Sequence, residues 1–481
     1  MITANKIRIK YRQLLFDDLS FKLTNHDKVG LLGLNGTGKS TLLKIIVGDE
    51  QPDSGKIDIG NERIAYLPQE FELPDQLVGE FLETLVTDPH NEMYKVTKIL
   101  HKLGLDDIDI YQEIKTLSYG QQMKLYLTKL LIDNPTVLLL DEPTNYLDLP
   151  GILWVEQFIQ KFEGACIIIS HDRAFLNNVI NKVFEIDEQR LYEFPGNYDK
   201  YLEYKAKFVE KRAIEYEMQE RRRKKLEERI VLIQKFSSGK KQAAQLQNAR
   251  HRLEREVTSV ERDAYKEQKI KGLNLKGEVP LSKQILKIED LAFKYDNGRE
   301  ILKDADLEVF GREKIWFFGA NGIGKSTLIK LIVGEYYPHK GEVKIGDNLR
   351  WGYFSQNQSH LNPDEQLQEY FMRATNISFS QSFGILSKFL FPKELVQMKI
   401  GSLSPGQRAR LSFAVFAQQE LDFLILDEPT NHLDIRSKEI IEEAFRNYQG
   451  AMLLISHDRY FVESIGMDRT ITISEGQVVE V

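Results

Sequence analysis

The sequence predicts an α/β protein built from two copies of one domain, joined by a long antiparallel helical hairpin. Three observations predict it. The first is self-similarity. GLNGTGKS at 33–40 recurs as GANGIGKS at 319–326, and LSYGQ at 117–121 as LSPGQ at 403–407. LLLDEPTNYLD at 138–148 recurs as LILDEPTNHLD at 424–434, and IISHDR at 168–173 as LISHDR at 454–459. Each pair lies 286 residues apart, and Gln69 and Gln356 lie 287 apart. Five landmarks that hold register within one residue are not chance, so the chain duplicates a module. The second observation is pattern: within each copy, short apolar runs such as 137–140 and 165–170 alternate with helical patterns such as 150–162. The third is the segment between the copies, which has few Gly or Pro before Gly272 and is dense in Lys, Arg, Glu and Gln.

The domains therefore read as 1–196, 197–284 and 285–481. In the middle segment Tyr198, Tyr201, Leu202, Lys205 and Phe208 start a helical pattern, and Leu226, Ile230 and Ile233 continue one. Phe236, Ser237, Ser238 and Gly239 break it, and Leu246, Leu253 and Val260 then recur every seven residues. That predicts two long helices folded back on each other, with the break as the tip.

Composition narrows the function classes. Of 481 residues, 42% are hydrophobic and 28% charged, which excludes a disordered chain. No run approaches the roughly 18 apolar residues of a membrane span, which excludes an integral transporter but not its soluble ATPase. The start, MITANKIRIKYR, lacks the apolar core of a signal peptide. The single cysteine, Cys166, excludes an intramolecular disulfide and a cysteine metal cluster, and it is expected to be an ordinary buried residue. A cytoplasmic location is expected.

The repeated GxxxxGK[ST] is a Walker A loop, whose glycines let backbone N–H groups approach phosphate oxygens at the start of a helix. The expected ATP-binding residues are Gly33, Leu34, Asn35, Gly36, Thr37, Gly38, Lys39, Ser40 and Thr41 in the first copy. In the second they are Gly319, Ala320, Asn321, Gly322, Ile323, Gly324, Lys325, Ser326 and Thr327. Lys39 and Lys325 suit the β- and γ-phosphates, and the hydroxyls of Ser40 and Ser326 suit Mg²⁺. The apolar runs before Asp141 and Asp427 read as buried strands ending in a carboxylate that ligates Mg²⁺ or sits behind its ligands. Glu142 and Glu428, next along, fit the general base that orients the attacking water. His171 and His457 can reach the γ-phosphate and carry its developing charge. Gln69 and Gln356 can sense Mg²⁺ and the water.

LSYGQ and LSPGQ, 23 residues before the aspartates, resemble the signature motif of ATP-binding cassette (ABC) proteins. That resemblance implies two composite sites, in which the signature serine and glycine of one cassette close over ATP held by the other. One site would pair the loop 33–41 with Ser404 and Gly406, and the other the loop 319–327 with Ser118 and Gly120. The family has glycine where this chain has Tyr119 and Pro405, and Pro405 lacks an N–H donor. Tyr11 and Tyr295 resemble the family's adenine-stacking aromatic. The whole chain resembles the ABC-F subfamily, on its two fused cassettes, its linker length and GNYDKYLEYK at 196–205. The resemblance implies a monomer whose cassettes close intramolecularly and whose partners are the ribosome's tRNA exit site, large-subunit rRNA and P-site tRNA. It implies a translation factor or, as the expectation favoured here, protection of ribosomes from antibiotics. No extra arm is expected between Gln69 and Leu117, and the C-terminal coiled coil of the family's DNA-associated branch is expected to be absent.

Residues 221–255 carry twelve Lys and Arg against three acids, a net charge of +9. With −7 overall, the rest of the chain carries −16. Lys235, Lys240, Lys241, Arg250 and Arg252 are the expected RNA contacts, and 236–239 the functional tip. Two other readings stay open: the ATPase subunit of a membrane transporter and a DNA-maintenance ATPase.

Overall fold

The computed structural model describes every residue except 12–13, 106, 146, 237–245, 249–250, 252–269, 271–272, 297, 321, 359 and 432. Asn321, Ser237, Ser238, Gly239, Lys240, Lys241, Arg250 and Arg252 therefore lie outside the described residues. The chain divides into two compact units, Met1–Asn197 with Lys269–Val481, and Tyr198–Gln268.

The first unit holds both copies, and each is built on a six-stranded sheet. In the first copy the strand order is Ile64–Leu67, Val137–Asp141, Ala165–Ile169, Lys28–Gly33, Lys182–Asp187 and Arg190–Pro195. All neighbours run parallel except the last pair. The second copy repeats this as Trp351–Phe354, Phe423–Asp427, Ala451–Ile455, Lys314–Phe317, Arg469–Ser474 and Gln477–Glu480. Every residue of Val137–Asp141 and Ala165–Ile169 is buried, Cys166 included. Helices and a second sheet cover both faces of such strands, which is why they read as unbroken apolar runs.

A three-stranded antiparallel sheet, Leu14–Leu23, Ile2–Lys10 and Ser54–Asp58, packs on each core in its own copy's version. Its inward residues, among them Ile7, Phe16 and Leu19, join Leu42 and Leu43 of the helix Lys39–Val47 and Phe184 of the main sheet. Helices between the Gln69 loop and the signature, with Leu125 of the signature helix Tyr119–Leu131, form a separate apolar cluster around Val78, Phe81 and Leu100. The parallel order places the ends of three adjacent strands, at Gly33, Asp141 and Ile169, on one edge. That edge is where open α/β sheets bind ligands.

The second unit contains the helix Tyr198–Phe236, 39 residues and about 58 Å long. It is polar on nearly all sides. Charged residues a turn apart approach each other along it, Arg221 and Glu217 at 3.5 Å and Arg223 and Glu227 at 3.7 Å. Residues 246–248 and 251 are also helical. Among the described residues, no helix is long and apolar enough to cross a membrane.

Candidate functional site

Each Walker loop opens a helix from a glycine that no other residue could replace. Gly38 and Gly324 have φ of 91° and 116°. A Cβ at Gly38 would sit 2.7 Å from the Phe16 ring, and one at Gly324 would sit 2.4 Å from Ile301. Neither helix, Lys39–Val47 nor Lys325–Ile332, has a side-chain cap at its start. Their first N–H groups are therefore left for an anion. The Lys39 ammonium is buried and donates to the carbonyls of Gly33 at 2.9 Å and Leu34 at 3.1 Å. Lys325 does the same to Gly319 at 2.6 Å and Ala320 at 3.0 Å. Burial pulls both ammonium groups below their usual range, offset by nearby carboxylates. This arrangement fits a nucleotide triphosphate: uncapped N–H groups and a cation meet at one point.

The acidic pair sits at the end of the adjacent strand. Ser40 hydrogen-bonds Asp141, and Ser326 hydrogen-bonds Asp427. Burial raises both aspartates, Asp427 to about 6. Gln69 and Gln356 are exposed into the same cavity. A hydroxyl, a carboxylate and an amide oxygen form the all-oxygen set that a hard cation such as Mg²⁺ takes.

Glu142 and Glu428 adopt left-handed backbone conformations, φ 52° and 50°. Each is held there by its N–H, which donates to the neighbouring strand at Ile169 or Ile455, 2.9 Å in both cases. The turn swings the carboxylate toward the next loop. Glu142 Oε2 accepts from the His171 N–H at 3.3 Å, and its Oε1 lies 3.4 Å from His171 Nε2. In the second copy the distances are 3.4 and 3.6 Å. Burial pushes Glu142 up to about 7, with Lys39 opposing, and Glu428 to about 8, with Asp427 adding. Burial and Lys325 push His457 down to about 4, so its ring is neutral at pH 7. The Oε1 atom of Glu428 accepts no hydrogen bond from the described residues, which leaves a buried acceptor for a water proton.

One cavity of about 980 Å³ spans both loops. Tyr11, Asn35, Gly36, Gly38, Lys39, Ser40, Thr41, Asp141, Glu142 and His171 line it from the first copy. Tyr295, Gly322, Gly324, Lys325, Ser326, Thr327, Asp427, Glu428 and His457 line it from the second, together with Ser404, Pro405 and Gly406. Gly33, Leu34, Thr37, Gly319, Ala320, Ile323, Ser118 and Gly120 do not appear among the described lining residues. Among the described residues, Ser404 and Gly406 thus share this cavity with both Walker loops, and Ser118 and Gly120 do not line it. Tyr11 is about half exposed, and its hydroxyl bonds Glu50, which pushes it up to about 12. The Tyr295 hydroxyl is 2.7 Å from Thr327 Oγ1.

Sequence reasoning missed the residues that bind the copies to each other. Asp148 and Asp434 cap the helices that follow the acidic loops, accepting from Gly151 at 3.1 Å and Ser437 at 2.9 Å. Their charges reach across: Asp434 acts on Lys39, and Asp148 on Lys325 and His457. Arg173 pairs with Glu442 of the other copy, and Arg459 with Glu156 at 2.5 Å. All six recur at the 286-residue period, so the signal was present.

A family model described as ABC transporter matches residues 16–145 and 302–431, and a second with the same description matches 184–271. ABC transporter F family member 5 of Arabidopsis thaliana is 33% identical, over 99% of this chain and 75% of its own length. The ABC transporter ATP-binding protein YfmM of Bacillus subtilis is 31% identical over 94% of both chains. ATP-binding protein Uup of Escherichia coli K12 is 32% identical over 94% of this chain and 76% of its own. Among solved structures, the archaeal ribosome recycling factor aABCE1, in complex with the stalk protein aP1, superposes with TM-score 0.64 at 20% identity. That match covers 98% of this chain and 89% of the other, and shows a shared two-cassette fold.

Proposed function

We propose, from the premise that this chain belongs to the F family of ABC proteins and is an ATP-binding and ATP-hydrolysing enzyme, that it is a translation factor whose cassettes close on ATP at the ribosome. The observation that supports this is the shared cavity, which both Walker loops line together with Ser404 and Gly406 of the second cassette. A site completed by both cassettes couples nucleotide occupancy to their separation.

The geometry supports the following roles. Lys39, Lys325 and the uncapped N–H groups hold the phosphates. Glu142 and Glu428 accept a proton from the attacking water, and their raised carboxyls suit a base working near pH 7. His171 and His457 orient those carboxylates and meet the γ-phosphate. Ser40, Gln69 and Asp141, with Ser326, Gln356 and Asp427, would hold Mg²⁺, which supplies neutralising charge beside the phosphates. Tyr11 and Tyr295, which line the cavity, would stack on the adenine ring.

The linker reading rests on its charge. A net +9 on a segment of an otherwise acidic chain suits sequence-tolerant phosphate contacts to large-subunit rRNA and P-site tRNA. From the exit site the linker would reach toward the peptidyl-transferase region. Between the two forms of this reading, a general role in translation now outweighs antibiotic protection. Relatives of similar identity occur in a plant and in two distant bacteria, the distribution of a broadly useful activity.

The test is sedimentation with ribosomes in ATP, ADP and a non-hydrolysable ATP analogue. The analogue should retain the protein on ribosomes, and ADP should release it. Equal sedimentation in all three would refute ATP-driven closure. Co-purification with membranes would instead support the transporter reading. Drug-free translation that depends on the protein supports the general role, and an effect confined to drug-treated ribosomes supports protection.

A further inference from the structure

Lys438 breaks the internal repeat where the two cassettes touch. It lies in the helix Ile435–Asn447, and the residue 286 positions earlier, in Leu149–Lys161, is Ile152. Lys438 is 5% exposed. Its ammonium donates to the His171 carbonyl of the first cassette at 2.9 Å and to Asp458 Oδ2 of its own at 2.7 Å. A buried ammonium is costly unless so paired.

The bond to His171 matters because of what else holds that peptide. The N–H of the same peptide unit, from Asp172, donates to Ser170 Oγ at 3.1 Å. The unit is therefore gripped at both ends, by Ser170 from within the first cassette and by Lys438 from the second. His171 precedes this unit directly, and its own N–H and ring both meet Glu142. In the second cassette Asp458 donates likewise to Ser456 Oγ at 3.1 Å. There the repeat offers Ile152, a side chain with no donor.

We infer that Lys438 is a positioning residue for hydrolysis at the first Walker loop, supplied by the second cassette, and that the second Walker loop has no counterpart. His171 and Glu142 are then held in register only when the cassettes meet. Cassette contact thereby controls one site more than the other. The inference rests on the roles proposed above for Glu142 and His171.

Single-site backgrounds test it. In Glu428→Gln, only the first site turns over. There Lys438→Met should lower single-turnover hydrolysis tenfold or more, while affinity for a fluorescent ATP analogue changes less than threefold. In Glu142→Gln, the same substitution should change turnover less than twofold. Lys438→Arg, which keeps a cationic donor, should restore at least a third of the rate. Without nucleotide, amide hydrogen exchange across 170–173 should quicken tenfold in Lys438→Met. The double change Lys438→Met/Asp458→Asn removes the stranded carboxylate and keeps the bond from the Phe461 N–H. It should remain as slow as the single change. Equal losses in both backgrounds, no loss in Glu428→Gln, or recovery through Asp458→Asn would overturn the inference. The underlying reading fails differently: Glu142→Gln/Glu428→Gln would then keep more than a tenth of wild-type hydrolysis, and the inference would fall with it.

Discussion

The two glutamates at the strand ends are held in a strained conformation and a buried place at once. A left-handed non-glycine residue costs on the order of 1 kcal/mol or more, and burial of its carboxylate adds to that. Such cost persists where geometry serves chemistry. Changing both to Gln should leave ATP binding intact and slow phosphate release by about 10² or more, roughly 3 kcal/mol of barrier. Steady-state phosphate release beside equilibrium nucleotide binding checks this, and hydrolysis above a tenth of wild type sinks it. A second prediction concerns Asp172, which caps the helix Arg173–Val179 through the Phe175 N–H at 2.9 Å. Burial, with Asp458 adding, pushes it up to about 6. Its folded pKa exceeds its unfolded value of about 4, so the native state binds the extra proton. That stability is full below about pH 4 and lost as pH rises through about 6. Asn keeps the cap without the charge. Asp172→Asn should therefore be more stable than wild type at pH 7.5, by roughly 1 to 3 kcal/mol, with no gain at pH 4. Chemical denaturation at both values decides it. Lys39 and Glu142 were legible because their chemistry needs fixed spacing from glycines and strands. Lys438 was not, because a lysine on an amphipathic helix normally reads as a solvated face. Only its replacement of an isoleucine in the repeat marked it.

At the scale of elements, the signature helices show how one substitution can fit a fold and still alter a site. Ser404 caps Pro405–Phe416, its Oγ accepting from the Gln407 N–H at 3.2 Å, while the Ser404 N–H donates to Gln407 Oε1 at 2.8 Å. Proline at the first helical position costs the helix nothing, since that N–H has no partner within it. In any other residue that N–H would point out of the helix start, where a phosphate would meet it. Pro405→Gly should restore one donor to the first site. In the Glu428→Gln background it should tighten ATP analogue binding three- to tenfold, about 1 kcal/mol, and lower the melting temperature slightly. Unchanged binding would show that this donor is not used. The strands were legible because burial on both faces leaves unbroken apolar runs, as in 137–140 and 451–455. The crossed pairs of Arg173 with Glu442 and Arg459 with Glu156 were not, since periodicity within a segment says nothing about which distant segment covers it.

For the whole molecule, charge separates the ATP-hydrolysing cassettes from the segment proposed to meet RNA. The segment 221–255 carries +9 and everything else −16, so the cassettes repel nucleic acid while the linker attracts it. The helix Tyr198–Phe236 ends at the start of the expected tip, and Lys235 lies in its last turn. Beyond it Lys240, Lys241 and Arg250 follow with no acid among them. Long cations on phosphates give affinity without sequence preference, whereas the uncharged 236–239 segment offers shape. Changing Lys240, Lys241 and Arg250 to Ala should therefore weaken ribosome binding. If each meets one phosphate, it should also flatten the plot of log affinity against log salt by about 2. Changing Phe236 to Ala, or shortening 237–239, should leave affinity and ATP hydrolysis within about twofold. It should nonetheless abolish the effect on peptide-bond formation. Ribosome affinity across a salt series and single-round translation, measured together on both variants, separate the roles. Tip variants that lose affinity as badly as the charge variants would make the tip a mere anchor. Tip variants that translate like wild type would move the effect on the ribosome to the cassettes themselves.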